Sequence, residues 1–269
     1  MIGWPAAHSR SPVIHKYWLR KLGLAGDYRI EAVRPEEFAA FIDDLPAHGY
    51  VGANVTIPHK ERALALADGD ERARAVGAAN TLWLEGGRLR ATNTDVEGFI
   101  DNLDASAPGW AKADVDALVL GAGGSSRAVI FGLLERGIRR VRIVNRTRER
   151  ADALAATFGE RVQSVPWSAL GETLAGAKLF VNATSLGMSG QPPLQLDVRA
   201  LPNDAVVADN VYVPLQTPLL REARARGLRT ADGLGMLLHQ AVGGFARWFG
   251  QKPEVTAELR ALVEADLTK

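Results

Sequence analysis

The strongest constraint on the fold is a junction near the middle of the chain. There the unbroken apolar run Ala117-Leu118-Val119-Leu120 passes directly into Gly121-Ala122-Gly123-Gly124-Ser125-Ser126-Arg127-Ala128, which opens a helical pattern. A strand apolar on both sides must be covered on both sides, which a parallel sheet flanked by helices provides. Further strand candidates are Val141 to Val144, Lys178 to Val181 and Ala205 to Ala208, separated by helical segments. This half of the chain therefore reads as a doubly wound α/β unit.

Glycines at a strand-to-helix junction let the backbone approach an anion, and the free N–H groups and helix dipole there stabilise negative charge. Gly121, Ala122, Gly123, Gly124 and Ser125 are accordingly the candidate pyrophosphate cradle, with a purely structural turn as the alternative. Ser126 stands where the usual fingerprint has its third glycine. The residue after the second strand selects the dinucleotide, since a carboxylate there suits a free ribose 2′-OH and repels a 2′-phosphate. Here that place holds Asn145-Arg146-Thr147-Arg148-Glu149-Arg150. Arginines offer planar, permanently charged donors to a phosphate, and cations in a first helical turn otherwise oppose the dipole, so the expected cofactor is NADP, with a solvated, arginine-rich helix start as the alternative.

The segment before about Asp95 has a different rhythm: a helix opening at Ser11-Pro12, a strand Tyr28 to Val33, a helix after Pro35, a strand Tyr50 to Thr56 and a helix after Pro58. Two strand-like runs, Asn80 to Leu84 and Leu89 to Asn93, flank Gly86-Gly87, a hairpin signal that sets Asn80 opposite Asn93. From Met236 onward a last helix is expected, with Leu237, Ala241, Phe245 and Trp248 along one stripe.

Pro58 suits a first helical position, which puts Lys60 in the first turn of its helix. The dipole there disfavours its charge by roughly 0.3–1 kcal/mol, which suits a lysine that exchanges a proton. Asp95 lies at a strand-to-helix junction, where it either caps the helix or, if the two junctions converge, pairs with Lys60 with Asn80 alongside. Ser9 and Ser11 offer two hydroxyls two residues apart, although Ser11 before Pro12 is also an ordinary N-cap. Gln240 falls on or beside the apolar stripe, where a buried amide needs a partner.

Other classes are disfavoured. With 32 basic and 31 acidic side chains, the net charge of +1 gives no field for nucleic acid. No cysteine is present, no histidine spacing matches a metal motif, and no apolar run is long enough to span a bilayer, so neither metal nor membrane is expected and the cytoplasm is the default location. A homodimer is allowed but not decided by the residues.

Taken in order from Gly3 to Gln240, these segments resemble the shikimate dehydrogenase family. The resemblance is carried by Gly-x-Pro-x-x-His-Ser-x-Ser-Pro at Gly3 to Pro12, Asn54 to Lys60, Gly77 to Thr81, Asn93 to Asp95 and the glycine loop. It continues through Asn145 to Thr147 with Arg150, Asn182 to Met188, Asp209 to Tyr212, and Asp232 to Met236 with Gln240. It implies an α/β chain of two domains, a substrate-binding domain of residues 1–95 plus 232–269 and a Rossmann-type NADP-binding domain of residues 96–231. The last helix would return to the first domain, leaving the active site in the cleft between them.

By the same resemblance Ser9 and Ser11 bind the shikimate carboxylate with Thr56 and Tyr212 nearby, and Lys60, Asn80, Asp95 and Gln240 bind ring hydroxyls. Lys60 and Asp95 are the implied catalytic pair, with Thr184 and Gly233 on the cofactor side. Two departures stand out. The family's first strand extends several residues ahead of Gly3, where this sequence has only Met1 and Ile2, so a truncated start or a short sheet edge is expected; and Val96-Glu97 follows Asp95, where glycine is common in the first place. The rival expectations are a quinate or dual quinate/shikimate dehydrogenase, disfavoured by Arg146 and the Ser9/Ser11 pair, and a non-catalytic NADP sensor, disfavoured by Lys60 with Asp95.

Overall fold

The structure, a computed structural model, describes residues 1–6, 9–111 and 115–267. The chain divides into two units, Met1–Glu97 with Leu238–Lys269, and Gly98–Leu237. The divisions fall inside two helices, Asp95–Ser106 and Gly233–Phe249.

In the second unit six parallel strands lie in the order Arg229–Ala231, Val206–Asp209, Leu179–Asn182, Asp116–Leu120, Arg140–Val144, Val162–Val165. The expected doubly wound sheet is present, and its strand order reverses between Asp116–Leu120 and Leu179–Asn182, the place where such folds open a ligand crevice. Successive side chains of the central strand enter separate cores: Ala117 and Val119 join Val129, Ile130 and Leu133 on one face, while Leu118 and Leu120 join Phe180, Val207 and Leu220 on the other. The strands Val162–Val165 and Arg229–Ala231 were not expected from the apolar runs. They are the two edges, where the faces of the sheet are less completely covered: Gln163 is exposed and Thr230 only half-buried, so an apolar run is not required.

The first unit contains a four-stranded sheet in the order Gly52–Asn54, Thr81–Glu85, Arg88–Thr92, Asp68–Gly69, and a parallel pair, Ile2–Gly3 with Glu31–Ala32. Ile2 bridges to Val55. The hairpin forms as expected: Gly86 and Gly87 take φ of 57° and 75°, and Thr81 pairs with Thr92, a register that sets Asn80 opposite Asn93. The expected strand Tyr28 to Val33 is paired only over Glu31–Ala32, because its partner is two residues long. A short helix missed by the apolar pattern, Glu71–Val76, has clear end signals: Asp70 Oδ1 accepts from the Ala73 N–H at 2.8 Å, and Gly77 closes it with φ of 74°.

The C-terminal stretch differs from its expected form. The helix Gly233–Phe249 begins earlier, and its buried stripe runs through Leu234, Leu238, Ala241 and Phe245 rather than through Leu237, which is half-buried. The one-residue shift follows the 3.6-residue period back from Phe245. A separate helix, Ala257–Leu267, follows and packs on Ser11–Lys21, where the Tyr17 hydroxyl donates to Glu258 at 2.8 Å. Among the described residues no helix is long and apolar enough to cross a membrane.

Candidate active site

The first unit gathers its reactive side chains where two strands lead into two helices. The strand Gly52–Asn54 leads to the helix Lys60–Leu66, and the strand Arg88–Thr92 leads to the helix Asp95–Ser106. Lys60 and Asp95 are thus the first residues of two helices. The two junctions converge, with Lys60 Nζ 2.5 Å from Asp95 Oδ2 and both side chains largely withdrawn from solvent. Pro58 is not the first helical residue as expected. The His59 N–H donates to Thr56 O at 3.0 Å, so the chain is still turning there, and the first helical bond is Ala63 N–H to His59 O.

Asn80 lies beside the pair, 3% exposed, and its Nδ2 donates to Asp95 Oδ1 at 2.8 Å. The Asp95 N–H donates to Asn93 Oδ1 at 3.1 Å, so the junction is capped by Asn93 and the Asp95 carboxylate is left for Lys60 and Asn80. Of the departures after Asp95, Val96 is buried and Glu97 pairs with Arg72 at 2.5 Å.

Ser11 is the first residue of its helix, ahead of Pro12, and the N-cap position is held by Arg10, whose side chain makes no capping bond. The N-cap alternative for Ser11 therefore fails. Instead the Ser11 N–H donates to Ser9 Oγ at 3.2 Å, and the two hydroxyl oxygens lie 3.2 Å apart. His8, within the same segment, lies outside the described residues. Thr56 is half-buried, and a side chain on Gly3 would collide with its Cγ2, which explains a glycine there. Gln240 is nearly buried on the helix Gly233–Phe249. One turn on, a Cβ added to Gly243 would lie 2.7 Å from Thr94 Cγ2, so this stretch of helix packs against the residue preceding Asp95.

The second unit holds the glycine loop at the C-terminal end of Asp116–Leu120, leading into the helix Gly124–Glu135. Gly121 has φ of 113°, and a Cβ there would lie 2.9 Å from Thr184 Cγ2 and 3.2 Å from the Ala183 backbone. Around Gly123 and Gly124 the space where a Cβ would sit is open, the room an approaching phosphate needs at a helix N-terminus. Ser126 is fully buried and its Oγ accepts from the Gly123 N–H at 3.3 Å, so the residue in place of the third glycine ties the loop to its helix. Ser125 Oγ accepts from Asn210 Nδ2 at 2.8 Å, and Gly233 packs on the Asn210 and Val211 backbone too closely for any side chain. Tyr212 is half-buried just beyond.

After the next strand, Asn145 Nδ2 donates to Thr147 O at 2.7 Å and shapes the turn into the helix Arg148–Phe158. Arg148 is engaged with Asp152 at 3.6 Å, whereas Arg146 and Arg150 are exposed and take part in no ion pair among the described residues. These open, unengaged guanidiniums and the glycine cradle fit a phosphorylated dinucleotide.

Sequence reasoning gave no role to the support behind Thr184. Thr184 donates by its N–H and hydroxyl to Asn182 Oδ1 at 3.1 and 2.7 Å, and Asn182 Nδ2 donates to the buried Asp209 at 2.9 Å. Asp209 also accepts from the Thr217 hydroxyl at 2.7 Å, and burial pushes its carboxyl above the usual range. The adjoining polar residues Asn182, Thr184 and Asp209 at the ends of apolar strands were the available signal.

An open parallel sheet with a glycine-lined helix N-terminus at its switch region, in one chain with a partly buried lysine–aspartate pair, defines a dinucleotide-dependent α/β oxidoreductase. Residues 1–82 match the model of the shikimate dehydrogenase substrate binding domain, 107–188 that of shikimate/quinate 5-dehydrogenase, and 233–262 that of the shikimate 5′-dehydrogenase C-terminal domain. The NADP(+) shikimate dehydrogenase of Rhodopseudomonas palustris (strain TIE-1) is 70% identical over 99% of this chain and 96% of its own length. That of Nitrobacter hamburgensis is 70% identical over 99% and 93%. Among solved structures, quinate dehydrogenase from Corynebacterium glutamicum in complex with NAD superposes with a TM-score of 0.91 at 33% identity, covering 98% of this chain and 97% of that one. Shikimate 5-dehydrogenase from Thermus thermophilus in complex with NADP(H) and shikimate gives 0.85 at 38%, covering 99% and 97%. The chain belongs to the shikimate dehydrogenase family.

Proposed function

We propose that the chain carries out the reversible NADPH-dependent reduction of 3-dehydroshikimate to shikimate, within chorismate and aromatic amino acid biosynthesis. The observation that carries this reading is the Lys60–Asp95 pair, formed at two converging helix starts and steadied by Asn80. In the oxidising direction a ring hydroxyl loses its proton while the carbon loses hydride. The bound dinucleotide supplies the hydride acceptor. Lys60, having first released its own proton to solvent, takes the hydroxyl proton on its neutral amine, and Asp95 holds the hydroxyl and balances the charge that returns to Lys60. Asn80 and Gln240 bind the remaining hydroxyls, while Ser9 and Ser11, with Thr56 and Tyr212, receive the carboxylate.

On the cofactor side, Gly121, Ala122, Gly123, Gly124 and Ser125 would hold the pyrophosphate. Arg146 and Arg150 would hold the 2′-phosphate, with Asn145 and Thr147 shaping that turn, and Thr184 and Gly233 would border the nicotinamide. The reaction draws on NADPH and feeds protein synthesis, so we place it in the cytoplasm; light scattering decides between a monomer and a homodimer. Expression in a bacterium lacking its own shikimate dehydrogenase should restore growth without aromatic supplements. Well-expressed, folded protein that fails to do so would overturn the reading.

A further inference from the structure

The Lys60–Asp95 pair ends a chain of hydrogen bonds whose direction is fixed atom by atom. The Thr94 N–H can only donate and lies 2.7 Å from Asn80 Oδ1, so Asn80 Nδ2 is the atom turned to Asp95. The Asn80 backbone carbonyl can only accept and lies 3.3 Å from Asn54 Nδ2, which leaves Asn54 Oδ1 to accept from the Tyr28 hydroxyl at 2.6 Å. Thr81, with no solvent exposure, stands between the two amides. Its Oγ accepts from Asn54 Nδ2 at 3.1 Å. Its own proton must then go forward, to Asn80 Oδ1 at 3.0 Å or to Thr94 Oγ at 3.0 Å, itself 3.1 Å from Asn80 Oδ1.

Every bond therefore runs the same way, from Tyr28 through Asn54, Thr81 and Asn80 to Asp95, and bonds in such a series polarise one another. Tyr28 is buried with its ring 4.1 Å from that of His15 and 3° from parallel. Burial pushes its phenol up, so it remains a donor.

We propose that Thr81 is a positioning residue for the reaction: acting through Asn80, it fixes the orientation in which Asp95 meets Lys60. This inference rests on the function proposed above. Removing the Thr81 hydroxyl takes one acceptor from Asn54 and one donor from Asn80 Oδ1, loosening the amide that faces the carboxylate. A flipped Asn80 would turn its oxygen toward Asp95, the arrangement the chain opposes.

Thr81→Val keeps the shape and loses the hydroxyl, whereas Thr81→Ser keeps the hydroxyl and loses a buried methyl group. With saturating shikimate and NADP, Thr81→Val should lower kcat by up to about tenfold with KM for NADP unchanged. Thr81→Ser should keep near-normal kcat even where its Tm falls. A role confined to packing gives the reverse ranking. Wild-type kcat in Thr81→Val, or an equal loss in Thr81→Ser, would overturn the proposal. Should Thr81→Val fail to fold, Tyr28→Phe breaks the same series at its far end; reduced kcat there supports the proposal and wild-type kcat defeats it. A wild-type protein inactive on shikimate would take down the function reading as well, whereas an active wild type with an unimpaired Thr81→Val defeats this inference alone.

Discussion

Replacing Lys60 by alanine separates the chemical role of the pair from its structural one. Lys60 Nζ lies 2.5 Å from Asp95 Oδ2, and the side chains of Lys60 and Asp95 are 23% and 12% exposed. Breaking a fully buried pair costs about 3–5 kcal/mol, while exposed pairs are worth about 0–1 kcal/mol. The Asn80 amide, 2.8 Å from Asp95 Oδ1, should still donate to the carboxylate after the substitution, so roughly 1–2 kcal/mol of stability should be lost, between those two limits. The variant should fold and bind NADP as the wild type does, since the cradle and Arg146 belong to the other unit. Loss of a positioned proton acceptor should lower kcat by about 10²–10⁴, or roughly 3–5 kcal/mol in the barrier. Asp95→Asn should also be slow. The double variant should lose less than the product of the single losses, because the two groups act as one unit. The assay is the initial rate of NADPH formation from shikimate at saturating NADP. Near-normal kcat in Lys60→Ala, or multiplicative losses in the double variant, would refute the assignment of the proton to this pair.

Arg146→Asp should weaken NADP use by about ten- to a hundredfold while leaving NAD use comparatively intact, the loss of one charge-assisted contact; equal losses with both dinucleotides would contradict it. Ser9→Ala and Ser11→Ala should raise KM for shikimate about two- to tenfold with Kd for NADP unchanged. Ser11 is buried and its hydroxyl meets Ser9, so Ser11→Ala should cost some Tm; a fall in Tm with KM for shikimate unchanged is the outcome that would restore the capping role. His15 is fully buried, and burial pushes its imidazole from the ordinary 6.5 down to about 3. It takes up a proton on unfolding before it does so in the fold, so its contribution to stability is complete above pH 6.5 and is lost as pH falls toward 3. By pH 5 the loss is about 2 kcal/mol, measurable by urea unfolding at pH 7 and pH 5, and His15→Phe should flatten that slope.

The parts legible in the sequence were those where one local rule decides. Ala117 to Leu120 is apolar on both faces and leads into glycines, so the central strand and its loop follow from two short-range facts. Gly86-Gly87 fixes the hairpin register in the same local way. The edge strand Val162–Val165 escaped because an edge need not be apolar, and the buried stripe of Gly233–Phe249 was misplaced by one residue because Leu237 and Leu238 are equivalent to a simple hydrophobic pattern. In the site, Lys60 and Asp95 were visible as charged residues at element junctions, but their separation is a tertiary fact. The carriers of that geometry, Asn54, Thr81 and Asn93, are ordinary polar residues whose value appears only when their partners are in place.

The central claim, an oxidoreductase specific for shikimate and NADP, is tested most directly by initial rates of the purified protein with shikimate and with quinate, each with NADP and with NAD. The Ser9/Ser11 pair and the unengaged Arg146 and Arg150 predict that kcat/KM is highest for shikimate with NADP, and that exchanging either component lowers it by at least about tenfold. Higher kcat/KM for quinate or for NAD would contradict the account, and absence of turnover with all four pairs would remove it.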